Sequence, residues 1–269
     1  MIVRRAALVA VLAVLAACRP DTVDLRYRFH DGDELSYRIE ATASARWDVG
    51  VQGRGSYRVV FDVRETIEHV DDSGADVSVV MTPTHVEEHG LPSPGEQRRA
   101  FRLRVGPNGE VTEVLEVDGV PAAALDPDEL ALIGTYRPPL PVEPVRLHDR
   151  WQARQRLDLS RVSQEIETLG TLHSLRREDG TAVARLDFTG RGPLSWETKL
   201  AQGKARLVGS SSTTAAARFD IERGELRHAT STMSGDFAVT VTPEDGTAPV
   251  EGTLHLVLEL ALEKVEGAS

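Results

Sequence analysis

His85-Val86-Glu87-Glu88-His89 carries residue types and a spacing that could bind metal. The H-x-x-E-H pattern holds zinc when its histidines lie one helical turn apart, so both rings reach one ion and a glutamate activates its water. Here Pro83 stands just before and Gly90, Pro92 and Pro94 just after, so a helix of two turns has no room. The stretch reads as a solvated loop at a strand end. Asp31-Gly32-Asp33-Glu34 hints at calcium but lacks the rest of an EF-hand loop, and reads as a solvated turn. No G-x-S-x-G elbow surrounds a serine, and Ser210-Ser211-Ser212 reads as polar strand or loop. There is no Gly-rich phosphate loop. Trp47, Trp151 and Trp196 read as core or rim aromatics. The expectation is a chain that is not an enzyme and holds no metal.

Composition narrows the classes further. With 41% hydrophobic and 27% charged residues over 269 positions, the chain is a globular protein with core to bury. One cysteine excludes a disulfide framework and a Cys-based zinc site. A net charge of −11 argues against nucleic acid, or an anionic membrane gripped by a basic face.

The single cysteine has a marked position. Arg4 and Arg5 precede an apolar run over residues 6–17, which as a helix would span about 18 Å against a hydrocarbon core of about 30 Å. A basic start, a short apolar stretch and small residues before the end describe a secretory signal. Leu15-Ala16-Ala17-Cys18 resembles the lipobox of bacterial lipoproteins. That resemblance implies cleavage before Cys18, a diacylglyceryl group on its thiol and acylation of the new amino terminus. Two or three acyl chains anchor firmly where one holds only reversibly. Loss of residues 1–17 removes two arginines and no acid, which takes the charge to −13. Arg19 follows the cysteine where an aspartate would resemble an inner-membrane retention signal. The expected location is the outer membrane in a host with two membranes, and otherwise the outer face of the cell membrane.

Positioning any site falls to β-strands. Over residues 35–47 the odd positions are Leu35, Tyr37, Ile39, Ala41, Ala43, Ala45 and Trp47, between mostly polar even neighbours. Such alternation predicts a long strand with one buried and one wet face. Further strands are predicted over 57–63, 77–81, 101–105, 111–117, 182–188, 213–221, 233–241 and 254–262. The last aligns Leu254, Leu256, Leu258, Leu260 and Leu262. Turns fall at Asp72-Ser73-Gly74, Pro107-Asn108-Gly109, Asp179-Gly180 and Asp245-Gly246, where Gly or Asn accepts positive φ. Short connections between alternating strands imply an antiparallel meander. Val162, Ile166, Leu169, Leu172 and Leu175 fall at helical spacing, but Gly170 and the many Thr and Ser favour a strand with a bulge at Gly170. One helix is signalled over 126–134 by an Asp126 cap, Pro127 and Glu129.

The expected fold is therefore mainly β: a curved antiparallel sheet, as a half-barrel or two related meanders, with one or two short helices. A proline-rich linker over 137–147 separates a tether (18–24) and first meander (25–136) from a second meander (148–269). Gly32-Asp33-Glu34-Leu35 and His148-Asp149-Arg150-Trp151 open the two halves. Phe101-to-Val114 and Ala217-to-Thr230 carry similar turns at Gly109 and Gly224, so the halves read as an internal duplication.

This pattern resembles a group of uncharacterised bacterial lipoproteins with a domain of unknown function, and more loosely the lipoprotein-carrier half-barrel. The second likeness implies an apolar ligand, such as acyl chains, held in a curved sheet. The ligand-facing candidates are Leu35, Tyr37, Ile39, Ala41, Ala43, Ala45 and Trp47, whose small members leave volume on the buried face. The alternative is a scaffold lipoprotein of an envelope complex with a filled core. The two differ in whether the sheet interior is open.

Overall fold

The computed structural model describes residues 22–93, 97–125, 136–159, 162–200 and 203–265. One antiparallel sheet contains all thirteen strands. They are β1 (Glu34–Asp48), β2 (Gln52–Asp71), β3 (Gly74–Glu88), β4 (Leu91–Pro92), β5 (Arg99–Val105), β6 (Val111–Val117), β7 (Val120–Pro121), β8 (Arg150–Leu159), β9 (Val162–Glu178), β10 (Thr181–Leu200), β11 (Gly203–Asp220), β12 (Glu225–Pro243) and β13 (Val250–Lys264). Their order is β7-β6-β5-β3-β2-β1-β13-β12-β11-β10-β9-β8, with β4 beside β3. Each half runs through its strands in reverse sequence order, and the halves meet where β1 pairs with β13. The sheet is open, with β7 and β8 at its edges.

Strand alternation builds two faces. Directly opposed residues share a face, so Tyr37, Val63 and Lys264 lie together, as do Ile39, Phe61 and Leu262. The face carrying Ile39 is the inner one. Its closed end packs Tyr37, Ile39, Val63, Ile67, Val77 and Val105 from the first half against Leu172, Leu186, Phe219, Leu226 and Leu262 from the second.

That end is rolled, and two hydrogen bonds prove it. Tyr27 N donates to Pro107 O in the β5–β6 turn at 2.8 Å, and the next residue, Arg28, donates to Gly224 O in the β11–β12 turn at 3.1 Å. The nearest strands of those turns, β5 and β12, stand five strand spacings apart along the sheet, about 24 Å if it were flat. Only a curled sheet brings both to adjacent residues. Residues 23–29 are thus a plug inside the roll, with Leu25 and Tyr27 buried.

The proline-rich segment joins the plug. It is extended, as its composition requires, but it is not a solvated spacer: Arg137, Leu140 and Val145 are buried. Val145 bridges Val23, Leu140 N donates to Asn108 O at 2.9 Å, and the Trp151 indole donates to Pro139 O at 3.1 Å.

Several local expectations are corrected. The strand over 162–175 is real, but its bulge falls at His173, because Arg185 pairs with Ser174 and Leu186 with Leu172. Gly170 pairs regularly and serves another purpose: a Cβ there would come within 2.2 Å of the Trp151 ring. The His85–His89 stretch is strand through Glu88 rather than loop. The helix expected over 126–134 lies outside the described residues, as do the signal segment and Cys18. Among the described residues the helical element is one 3-10 turn, Ala122–Ala124.

Candidate functional site

The inner face changes character along β1. At the closed end Tyr37 and Ile39 are each 3% exposed, Leu35 packs against the same core, and their neighbours are the chain's own plug and linker. Beyond Ile39, Ala41, Ala43, Ala45 and Trp47 are all half-buried. The register sets Ala41 opposite Leu260, Ala43 opposite Leu258, Ala45 opposite Leu256 and Trp47 opposite Leu254. These leucines are half-buried too, whereas Leu262 is 0% exposed. The apolar ladder is continuous, and its rungs are fully buried only at the closed end.

The outer end has its own small cluster. Phe237, Leu207, Ala205 and Val239 are buried there, with Val49, Leu194, Leu254 and Leu256 against them. Glycines let the large rings lie flat on the sheet. A Cβ at Gly53 would stand 2.4 Å from the Trp47 ring, and one at Gly235 would stand 2.5 Å from that of Phe237. Between the two clusters runs a stretch of inner face floored by alanine, leucine, Met233 and Tyr57, with Thr213, Ser211 and Ser231 among them. Seven candidates thus divide: Leu35, Tyr37 and Ile39 belong to the closed core, and Ala41, Ala43, Ala45 and Trp47 to the open stretch.

The closed end is locked by a buried charge pair. Glu65, on the inner register of β2, is 0% exposed and accepts hydrogen bonds from Arg137 and Tyr136. The Arg137 guanidinium lies 5.4, 5.6 and 5.8 Å from the ring centres of Tyr27, Phe29 and Tyr136. Burial, and then the Glu65 charge, push the Tyr136 phenol well above its ordinary pKa, so it stays a donor. This cluster ties linker, plug and β2 together.

The remaining sequence candidates are dispersed. His85 Nε2 lies 2.8 Å from Glu87 Oε1, and His89 sits beyond the strand end with φ of 52°. His30 Nδ1 lies 3.1 Å from Asp33 Oδ2 in a surface turn. Among the described residues no three metal-binding side chains converge.

A hollow of about 870 Å³ near the β1–β2 turn is lined by Arg46, Arg54, Asp236 and His255 together with Trp47, Phe237 and Leu254. Register places the first four of these side chains on the face opposite Trp47 and Leu254. Sequence reading missed this group, although Arg46 and Arg54 are visible as even-numbered partners across a hairpin.

Fold and geometry define the class: a mainly-β protein built on one open antiparallel meander of thirteen strands. No family model matches the chain, and no curated protein is significantly similar to it.

Proposed function

We propose that this chain is a lipid-anchored cell-envelope protein without catalytic activity that holds an apolar ligand, of the acyl-chain class, along the inner face of its sheet. The observation that carries the reading is the half-buried ladder of Ala41, Ala43 and Ala45 against Leu256, Leu258 and Leu260, between two packed clusters. Leaving such a strip in water forgoes about 25 cal/mol for each Å² that an apolar partner would cover. An acyl chain fits the methyl-rich strip that Ala41, Ala43 and Ala45 share with the leucines of β13. The rolled sheet supports the likeness to the lipoprotein-carrier half-barrel, and the Leu15-Ala16-Ala17-Cys18 motif supports the anchor and the kinship with bacterial lipoproteins.

An internal duplication is part of the same proposal. Gly32 N donates to Ile67 O and Ile67 N to Asp33 O, and His148 N donates to Leu172 O and Leu172 N to Asp149 O. Gly32 and His148 both have positive φ, 84° and 68°.

The test is lipid extraction and mass spectrometry of the purified chain, with Ala43→Trp alongside. Non-covalent lipid is expected with the wild type and lost from Ala43→Trp, whose melting temperature stays close to that of the wild type. In a filled core the same change would cost about 1–3 kcal/mol. No co-purifying lipid together with a strongly destabilised variant favours the scaffold alternative. For the anchor, a clickable fatty acid should label the wild type and not Cys18→Ser, which should leave the membrane fraction. An unlabelled wild type ends that part of the reading.

A further inference from the structure

Four arginines on the outer face of the first half are matched to acids on neighbouring strands, and among the described residues Arg64 on β2 has none within 4.0 Å. Arg38 lies 3.3 Å from Asp62, Arg58 2.7 Å from Glu40, Arg102 2.7 Å from Glu68 and Arg104 3.0 Å from Asp76. The outer end differs in setting two unmatched arginines against each other. Arg46 on β1 stands directly opposite Arg54 on β2, and on its other side directly opposite His255 on β13. Like charges in directly opposed positions destabilise an antiparallel pair. Among the described residues neither guanidinium has an acid within 4.0 Å. The acids in the same hollow are engaged elsewhere: Asp48 accepts from Gln52 Nε2 at 3.0 Å, and Asp236 lies 2.8 Å from His255 Nδ1.

We propose that this hollow binds a phosphate-bearing ligand bridged by Arg46 and Arg54. Two facing guanidinium forks match the oxygens of a phosphate, and a bound anion turns the repulsion between them into shared attraction. A hollow of about 870 Å³ has room for the group and part of what it is attached to. The Arg46 and Arg54 side chains stand on the face opposite the apolar ladder, and their phosphate chemistry does not depend on the apolar ligand proposed there. Two sources share this chemistry, free inorganic phosphate and a phospholipid headgroup.

Thermal melts of the full chain separate them. The probes are inorganic phosphate and a short-chain phosphatidylglycerol below its micellar concentration. The controls are chloride at matched ionic strength and the corresponding phosphatidylcholine. The melting temperature should rise with a phosphate probe beyond its control, with half-saturation weakened at least tenfold in Arg46→Ala and in Arg54→Ala. A response to inorganic phosphate assigns a free anion, and a response to phosphatidylglycerol alone assigns the headgroup; either supports the site. Arg46→Glu places an acid opposite Arg54, so it should raise the melting temperature in chloride while abolishing the response. Equal responses in wild type and variants, or none to either probe, overturn the proposal.

Discussion

Glu65 lies in the inner register of β2, between Val63 and Ile67, where every neighbour on that face is apolar. An acid interrupting an apolar alternation is a visible sequence signal that a buried partner exists. The partner was not legible, because Arg137 comes from a segment 72 residues away with no regular structure. Removing one member of such a pair strands the other in low dielectric. Arg137→Leu should therefore cost about 3–5 kcal/mol in urea unfolding, and adding Glu65→Leu should recover most of it. A single variant costing under about 1 kcal/mol would mean that water already reaches Glu65. Asp220 poses a pH question. Burial alone would raise its pKa, but hydrogen bonds from Arg223 N and Arg227 outweigh that and hold it below the ordinary value. A depressed folded value means stability that is present at neutral pH and lost as the pH falls through the carboxylate range below about 4. Asp220→Asn should thus cost about 1.5–3 kcal/mol at pH 7, with the gap to wild type narrowing toward pH 3. A gap constant from pH 7 to 3 would show that charge plays no part.

At the scale of elements, local chemistry announced the strands and turns, and long-range packing was silent. The alternation over 35–47 became β1 nearly residue for residue, since a strand half in water must alternate. Strands β2 and β10 run well past their expected ends, because the outer reaches of a long sheet need hydrogen bonds more than apolar side chains. Val23 and Asp24 of the plug read as the end of a tether and residues 25–29 as the start of the first meander: nothing in seven residues tells that two distant turns will grip them. Gly109 is where that grip is tightest. It holds φ of 83°, and a Cβ on it would stand 2.4 Å from the Tyr27 ring. Gly109→Ala should lower stability by at least about 1 kcal/mol through backbone strain alone, and more through displacement of the plug. Gly180→Ala has similar φ and open space around it, so it isolates the strain. Equal losses at both positions in thermal melts would show that the plug contributes nothing.

For the whole molecule, the decisive contact joins the two chain ends. β1 and β13 pair over twelve residue positions at the centre of the sheet, from Tyr37 with Lys264 to Asp48 with Thr253. Each half can build its own hairpins from short connections, yet neither closes its core alone. Tyr37 and Ile39 need Leu262 across the junction, and the plug must reach turns in both halves. Ordering such distant partners costs loop entropy before any packing offsets it, so folding should be slow and the two halves should unfold as one unit. Deleting β13, by ending the chain after Pro243, exposes the central edges of β1 and β12 together with the inner face around them. Those edges are long and carry free N–H and C=O groups, the arrangement that invites pairing between chains. The shortened chain should therefore lose the cooperative thermal transition and elute as oligomers in size exclusion. A monomeric product that keeps a sharp transition would show that one half folds without the other, and that the β1–β13 seam merely joins two finished units.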